Sequence, residues 1–250
     1  MRHAPRAALA LALALASAAP ASARAVTVWT AIATAKIRPD TGTVWPAASA
    51  SAATTGAAAA ALQAARNEFE AFQIAVAGPA SGVSATATAL TGPGTIPAPR
   101  LYRELPLTLQ NASSADGATG VFPDALVPDV DDVVGEKRSA FPVDVPAGQT
   151  FALYVEYLVP AGAPAGDYSG TVTVHAAGGD VAVPVTLTVW DFTLPSTASL
   201  HSAFGEGGAA AQHALSGDAL TALERRYAQL ALDHRVSLHN VRDGQNPDWS

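Results

Sequence analysis

The chain has 250 residues, of which 49% are hydrophobic, with no cysteine and a formal net charge of −7. The lack of cysteine excludes a disulfide framework and the lipid-modified cysteine of a bacterial lipoprotein, so stability must come from a packed core. Its basic residues are not clustered, and an acidic surface repels nucleic acid and anionic membranes. We therefore expect neither as a partner.

The first 23 residues have the organisation of a secretory signal peptide. Arg2 and Arg6 form a basic start, residues 7–16 are an apolar run, and residues 21–23 are an A-x-A cleavage site. The run is about half the ~20 residues that a membrane span needs. Cleavage after Ala23 would leave 227 residues with 12 basic and 21 acidic side chains, a charge of −9. We predict a secreted, extracellular or periplasmic protein with no membrane insertion after cleavage.

Short strands are predicted at residues 26–31 and 36–38, and residues 47–61 are predicted to be a loop that leads into a strand. Residues 64–76 are predicted to form a well-marked strand. Phe72 and the apolar residues at every second position after it would face one side of the sheet, whereas Phe69 would face the other side. The alternation slips at residues 70–71, which predicts a β-bulge.

Glu68 and Glu70 lie two residues apart on this strand and would face the same way. A glycosidase pair instead sits across a cleft on different segments, roughly 5 to 9.5 Å apart. We therefore interpret the two carboxylates as charge pairing beside Arg66 on a sheet face.

Residues 83–90 and 101–109 are further predicted strands, in which Arg103 and Glu104 are expected to pair in solvent or between loops. Residues 111–120 are a predicted polar loop, and residues 122–132 a proline-rich loop with four aspartates. Their spacing does not fit a D-x-[DN]-x-[DN]-G calcium loop, so we interpret them as hydrated carboxylates, with calcium as the alternative.

A β-hairpin is the most strongly indicated element of the chain. Its strands are predicted near residues 168–175 and 181–190, joined by a connection with two consecutive glycines. Pro184 cannot donate to a ladder, so it places its strand at an edge or leaves that position unpaired. Strands are also predicted at residues 141–145 and 150–159. The predicted core stripes are Phe151, Leu153, Val155, Tyr157 and Val159, and then Val181, Val183, Val185, Leu187 and Val189.

After Pro195 the pattern becomes strand, helix, strand, at residues 200–204, 218–235 and 236–241. An apolar helix face recurs at three and four residues, and Asp218 and His234 complement the helix dipole. This order is the opening unit of a (β/α)8 barrel. The fold class is therefore mainly β, with an antiparallel, immunoglobulin-like β-sandwich at residues 24–198 and a truncated barrel start at residues 199–250.

Several segments resemble glycoside hydrolase family 123 in the same order along the chain. They are AARNEFEAFQIAV (64–76), LYRE (101–104), FPDALVP (122–128), PAGDYSGTVTV (164–174), VPVTLTVWDFTLP (183–195) and SAFG (202–205). The resemblance covers roughly residues 26–240. It implies a retaining, substrate-assisted enzyme for N-acetylhexosamine-containing glycans, whose Asp–Glu pair lies later in the barrel.

No position of this chain matches that pair, so the sequence assigns no catalytic residue and predicts an inactive 250-residue chain. A barrel takes about 250 residues, and the rest of it would be a partner of this segment. The loops after the first two barrel strands supply the candidate sugar contacts Glu206, His239, Asn240 and Asp243.

Other chemistries find no support in the sequence. It has no GxSxG, HExxH or phosphate-binding loop, and its histidines lack metal-ligand spacing, so we predict neither metal nor cofactor. Trp45 and Trp249 could stack on a sugar ring, whereas Trp29 and Trp190 are predicted to be core residues. The alternative function is a non-catalytic carbohydrate-binding or cell-surface structural module.

Overall fold

The computed structural model describes residues 26–46, 53–54, 58–131, 134–200, 202, 204–205 and 213–239. The predicted signal peptide lies outside them. Within these ranges the chain is mainly β with one α-helix, which confirms the predicted fold class at that level.

The first sheet has six described strands, each antiparallel to its neighbours. In spatial order they are β11 (Gly120–Pro128), β10 (Arg100–Leu109), β13 (Thr150–Val159), β6 (Glu68–Ala77), β1 (Thr27–Ile32) and β4 (Ala53–Thr54). β6 pairs with β13 along its whole length, but β1 reaches only as far as Ile32 opposite Phe72. Residues 68–71 of β6 therefore extend past the end of β1.

The second sheet contains the predicted hairpin. Its order is β12 (Val143–Val145), β7 (Ala80–Ala87), β14 (Gly166–His175), β15 (Val181–Thr193) and β5 (Ala60–Arg66), and β8 (Leu90–Thr91) pairs with β14 and with β9 (Thr95–Ile96). β5 pairs with β15 in parallel, which corrects the prediction of a wholly antiparallel domain. Pro184 lies one residue before that pairing begins, as predicted for a position unpaired on one side.

One core lies between the two sheets, and the predicted stripes on β13 and β15 face it. The stripe on β13 is at most 8% exposed, and that on β15 is at most 2% exposed from Val183 to Val189. Burial of each large aliphatic or aromatic side chain contributes about 1.5–3 kcal/mol. The period-two pattern of these strands therefore determines which face is inside.

The chain passes from the second sheet to the first at Asn67, between β5 and β6. Asn67 has φ 58°, in the left-handed region that asparagine adopts more readily than most residues. β5 ends at this corner and runs parallel to β15. The predicted bulge at residues 70–71 is wrong, because β6 stays in register with β13 there. Phe69 has the other parity because it faces outward and stacks on His234, with ring centroids 4.4 Å apart.

Residues 122–128, predicted to be a loop, belong to β11 instead. Pro106 lies opposite Pro123, and the register of β10 shifts between Glu104 and Pro106. The prolines therefore sit beside the irregularity, where missing N–H donors disturb the ladder least.

A short hairpin of β2 (Lys36–Ile37) and β3 (Val44–Trp45) covers part of the outer face of the first sheet. A second apolar cluster forms there from Ala31, Ala35, Ile37, Ala75 and Ala152. Gln73, 1% exposed, donates from Nε2 to the carbonyl oxygens of residues 32, 33 and 35, at 2.9, 3.1 and 2.7 Å. A buried amide thus holds the start of this hairpin on the sheet.

The predicted strand–helix–strand order is present as β16 (Phe204–Gly205), α1 (Gly217–Asp233) and β17 (Leu238–His239), and the two strands pair in parallel. Ser216 occupies the N-cap position without a side-chain cap hydrogen bond. Leu220 is buried, but Leu230 on the predicted apolar face is 55% exposed. A barrel start remains a prediction. Among the residues that can be described, no helix is both long and apolar enough to cross a bilayer.

Candidate functional site

The sugar contacts predicted from the sequence fall largely outside the described residues. Glu206, Asn240 and Asp243 lie in undescribed segments, and only the backbone of His239 is placed, in β17 opposite Gly205. Trp249 also lies outside them. These four contacts therefore stay predictions.

A large cavity lies where β6 extends past the end of β1. Its volume is about 700 Å³, within the usual range for a ligand-binding cleft. The end of β1 with residues 33–34 lines it, and so do residues 59–63 of β5 and its approach. Glu70, Tyr154, Glu156, Trp190 and His234 bring polar and aromatic groups to it. The cavity exists because β1 stops four residues before β6 does.

Glu70 and Glu156 are the carboxylates that line this cavity among the described residues. Burial, followed by the negative charge of Glu68, raises the pKa of Glu70. Glu156 is buried, accepts a hydrogen bond from the Tyr102 hydroxyl at 3.2 Å, and lies 3.9 Å from Arg100 Nη1. Burial, with the charge of Glu156 second, raises the pKa of Tyr102. Tyr102 therefore stays a donor to Glu156.

The two carboxylates cannot both face one scissile bond. Glu70 lies opposite Tyr157 and Glu156 opposite Ala71, so the pairing register puts them on opposite faces of the sheet. A glycosidase needs both carboxyl groups facing the reacting bond. Both carboxylates line the cavity and can accept hydrogen bonds, but they are not an acid–base pair.

The hydroxyl of Tyr154 is a hydrogen-bond donor in the lining of this cavity, and Tyr154 is on the same face of β13 as Glu156. Burial raises the pKa of Tyr154, and the carboxylates of Glu156, Glu104 and Glu70 raise it further, in that order. The phenol therefore keeps its proton at neutral pH. With acceptors on Glu70 and Glu156, the cavity presents both halves of the hydrogen bonds that a hydroxyl-rich ligand can make.

Trp190 is exposed, which corrects its prediction as a core residue. It is 43% exposed and stacks on Phe192, with ring centroids 5.8 Å apart. The physical reason is parity, because Trp190 follows Thr186 and Thr188 on the outer face of β15, opposite the buried valines. That same parity is the signal in the sequence that could have identified it. Trp29 is half-buried beside the second apolar cluster.

Contacts around Asn67 place His234 and Trp190 at the cavity. The guanidinium of Arg235 donates to the carbonyl oxygen of Pro195 at 2.7 Å and to that of Asn67. Asn67 Nδ2 donates to the carbonyl oxygen of Leu194 at 2.9 Å. The end of α1 and the end of β15 are therefore both fixed to the corner from which β6 begins.

The predicted charge pair of Arg66 with its glutamate neighbours is wrong. Arg66 pairs with Asp191 instead and donates from Nε to the carbonyl oxygen of Ala163 at 2.8 Å. Glu68 accepts the backbone N–H of Ala65 at 2.6 Å. Arg66 is the last residue of β5 and Glu68 is the first of β6. The chain changes direction between them at Asn67, which directs the two side chains away from each other.

The predicted Arg103–Glu104 pair is also absent from the described contacts. Glu104 is 8% exposed rather than solvated, and neither its Oε2 nor Arg103 Nε has a hydrogen-bond partner there. Successive residues on β10 point to opposite faces, which separates the two side chains.

The calcium alternative gains no support from the residues that are placed. Among them, no group of three or more histidine, aspartate or glutamate side chains could hold a metal ion. Asp131 instead accepts a hydrogen bond from Arg138 Nη2 at 2.8 Å, and Asp124 lies on β11. Asp132 lies outside the described residues.

No protein-family model matches the chain, and neither does any curated protein. Among solved structures, a family 123 glycoside hydrolase from Clostridium perfringens, studied for glycolipid glycan hydrolysis, aligns with a TM-score of 0.57 at 11% identity. The alignment covers 71% of this chain and 32% of that enzyme. A DUF4466 family protein from Parabacteroides merdae gives a TM-score of 0.29 at 13% identity, covering 67% of this chain and 44% of that protein. The N-terminal domain of PorA gives a TM-score of 0.28 at 9% identity, covering 66% of this chain and 99% of that domain.

The likeness to the family 123 enzyme is one of fold. This chain spans about a third of that enzyme's length.

Proposed function

We propose that this chain is the front portion of a secreted glycoside hydrolase family 123-like protein that acts on N-acetylhexosamine-containing glycans. The observation that carries the proposal is the fold likeness to the Clostridium perfringens enzyme. The ordered sequence segments that resemble the same family support it independently. In this proposal, β16, α1 and β17 are the first unit of the catalytic barrel, and the rest of the barrel is their partner.

The 250-residue chain is inactive by itself in this proposal. The carboxylates of the described cavity, Glu70 and Glu156, lie on opposite faces of the sheet and cannot divide the roles of a glycosidase pair. Incubation of the chain with an aryl β-N-acetylgalactosaminide should release no aryl alcohol above the buffer rate. Robust release would show that the chain holds its own catalytic groups.

The large cavity contacts the glycan in this proposal, together with Glu206, His239, Asn240 and Asp243 of the barrel segment. Sugar rings combine hydroxyl groups with apolar C–H faces, so they match a site with carboxylates, a phenol and exposed aromatic rings. Isothermal titration with methyl N-acetyl-β-D-galactosaminide tests this.

We expect Trp190→Ala to weaken binding about tenfold, because the ring surface at the cavity is lost. Leu158→Ala is the matched control, since Leu158 is as exposed as Trp190 but does not line the cavity. An equal loss in both variants, or none in either, would argue against this contact.

A second candidate function is a non-catalytic carbohydrate-binding or structural module. It is favoured by the position of the cavity, whose described lining, apart from His234, lies between residues 30 and 190. The mass of the native secreted protein, detected with an antibody to the β domain, separates the two. A species heavier by about 250 residues supports the glycosidase, and one that matches residues 24–250 supports the module.

A further inference from the structure

A second cavity, of about 330 Å³, lies between the β2–β3 hairpin and the tips of β10 and β11. Trp45 and Phe122 give it an aromatic wall, and Leu107 and Leu109 add apolar surface. The two leucines are 45% and 36% exposed, so the strands leave them uncovered at this place. A volume of this size suits a small ligand, and an apolar wall with a few polar groups is the usual composition of such sites.

The aromatic wall is held in place from behind. Phe122 is buried, and its ring centroid lies 5.5 Å from that of Trp45 in an edge-to-face arrangement. The guanidinium carbon of Arg38 lies 4.9 Å from the Phe122 centroid and covers that ring. Trp45 is half-buried, so part of its ring surface remains open to the cavity that it lines. Rigid aromatic surfaces bind a flat apolar face at low entropic cost.

The polar side chains of the cavity offer both donors and acceptors. They are the amide of Asn111, the hydroxyl of Ser113, the carboxylate of Asp124 and the ammonium of Lys36. Asn111, Ser113 and Asp124 are exposed, so a ligand in the cavity can reach the amide, the hydroxyl and the carboxylate.

A smaller recess of about 130 Å³ adjoins this cavity and shares Lys36, Pro123 and Asp124 with it. The recess also reaches Glu104 and Tyr154. Glu104 is 92% buried, and its Oε2 has no hydrogen-bond partner among the described residues. A buried acceptor without a donor is costly, and a ligand hydroxyl in the recess would satisfy it.

We propose that this cavity is a second saccharide-binding site, which takes a neutral pyranose ring against Trp45 with its hydroxyls on Asn111 and Asp124. The carboxylate of Asp124 offsets the ammonium of Lys36, so the cavity has no net positive charge that would favour an anionic ligand, and Asp124 can accept hydrogen bonds from a ligand that donates hydroxyl hydrogens. The proposal rests on the proposed function only in taking a glycan as the ligand. In this proposal the cavity lined by Trp45 binds the glycan separately from the larger cavity lined by Trp190. Two points of one glycan chain are then held by the same protein.

The test is a titration of the whole chain, labelled with nitrogen-15, with methyl β-D-galactopyranoside and with methyl N-acetyl-β-D-galactosaminide. The indole N–H signals of Trp45 and Trp190 are assigned with Trp45→Phe and Trp190→Phe, so each cavity reports separately. We expect the Trp45 signal to shift saturably with at least one sugar. Asp124→Asn should weaken that response at least fivefold, whereas Asp116→Asn, in the neighbouring loop but outside the cavity lining, should leave it unchanged.

A shift at Trp190 without one at Trp45 would overturn this site and leave the larger cavity of the proposed function standing. A Trp45 response with no Trp190 response would support this site and count against that cavity. If neither sugar shifts the indole N–H signal of Trp45, this proposal is overturned. The dispersion of the backbone amide signals shows that each variant is folded before its response is compared.

Discussion

Replacing Glu104 with glutamine should stabilise the protein at neutral and alkaline pH. Burial raises the pKa of this carboxyl group from 4.5 to about 7, and Lys36 opposes the shift only in part. The folded state therefore holds a proton that the unfolded state has already released. Below pH 4.5 ionisation of Glu104 does not affect the free energy of unfolding. That free energy falls as the pH rises towards 7, and above 7 it is lower by the full cost of burying the charge.

The size of the penalty follows from the same shift. At 1.36 kcal/mol per pKa unit, a rise from 4.5 to about 7 corresponds to about 3 kcal/mol. Glutamine keeps the shape of the side chain but never ionises, so Glu104→Gln should recover most of this energy at pH 8. In a chain of this length, that corresponds to a rise in Tm of roughly 6–12 °C.

Thermal and urea denaturation of both proteins at pH 4, 6 and 8 would measure the effect. We expect the difference between variant and wild type to be small at pH 4 and to grow with pH. Glu136→Gln is the control, because Glu136 is exposed and forms only a surface ion pair with Arg138. A variant that is less stable than wild type at pH 8 would refute the reasoning, since it would mean that the ionised Glu104 is well paired.

Two further substitutions test buried polar groups in the first sheet. Gln73→Ala removes the donor to three carbonyl oxygens near the β2–β3 hairpin and should cost about 3 kcal/mol in urea denaturation, so an unchanged midpoint would contradict the anchoring role. Tyr157→Phe removes a hydroxyl that is buried without a partner among the described residues, so stability should hold or rise by about 1 kcal/mol. A clear loss in the same assay would point to a bound water as its partner.

The sequence predicted the elements whose neighbours are close along the chain. The β14–β15 hairpin and the stripe of β13 depend on period-two patterning and local turn residues, and both are confirmed. The order of β16, α1 and β17 follows in the same way, because a helix carries its own period of 3.6 residues.

The errors came where a distant contact decides the outcome. Phe69 looks like a slip in a strand pattern until His234, far along the chain, is seen to stack on it. Residues 122–128 look like a loop because of their prolines, yet β10 provides a partner that tolerates them at a register shift. Pairing and stacking partners of this kind leave no local trace in a single sequence.

The cavities could not be predicted for a related reason. The larger one depends on β1 ending at Ile32 while β6 starts at Glu68, a difference in length that only the pairing register reveals. The sequence named Trp45 as a residue that could stack on a sugar ring, and this stays a prediction. Glu104 is buried next to a register shift of β10 and lines a recess with Lys36 of the β2–β3 hairpin, two features that the sequence alone does not reveal.

The parallel pairing of β5 with β15 bears on how the protein forms during synthesis. Ala60 and its partner Val185 are 125 residues apart, and β5 has no other strand partner among the described residues. At 5–20 residues per second, a ribosome needs roughly 6–25 s to deliver the second strand after the first. Throughout that interval β5 is an open strand with one apolar face, which exposes it to pairing with another nascent chain.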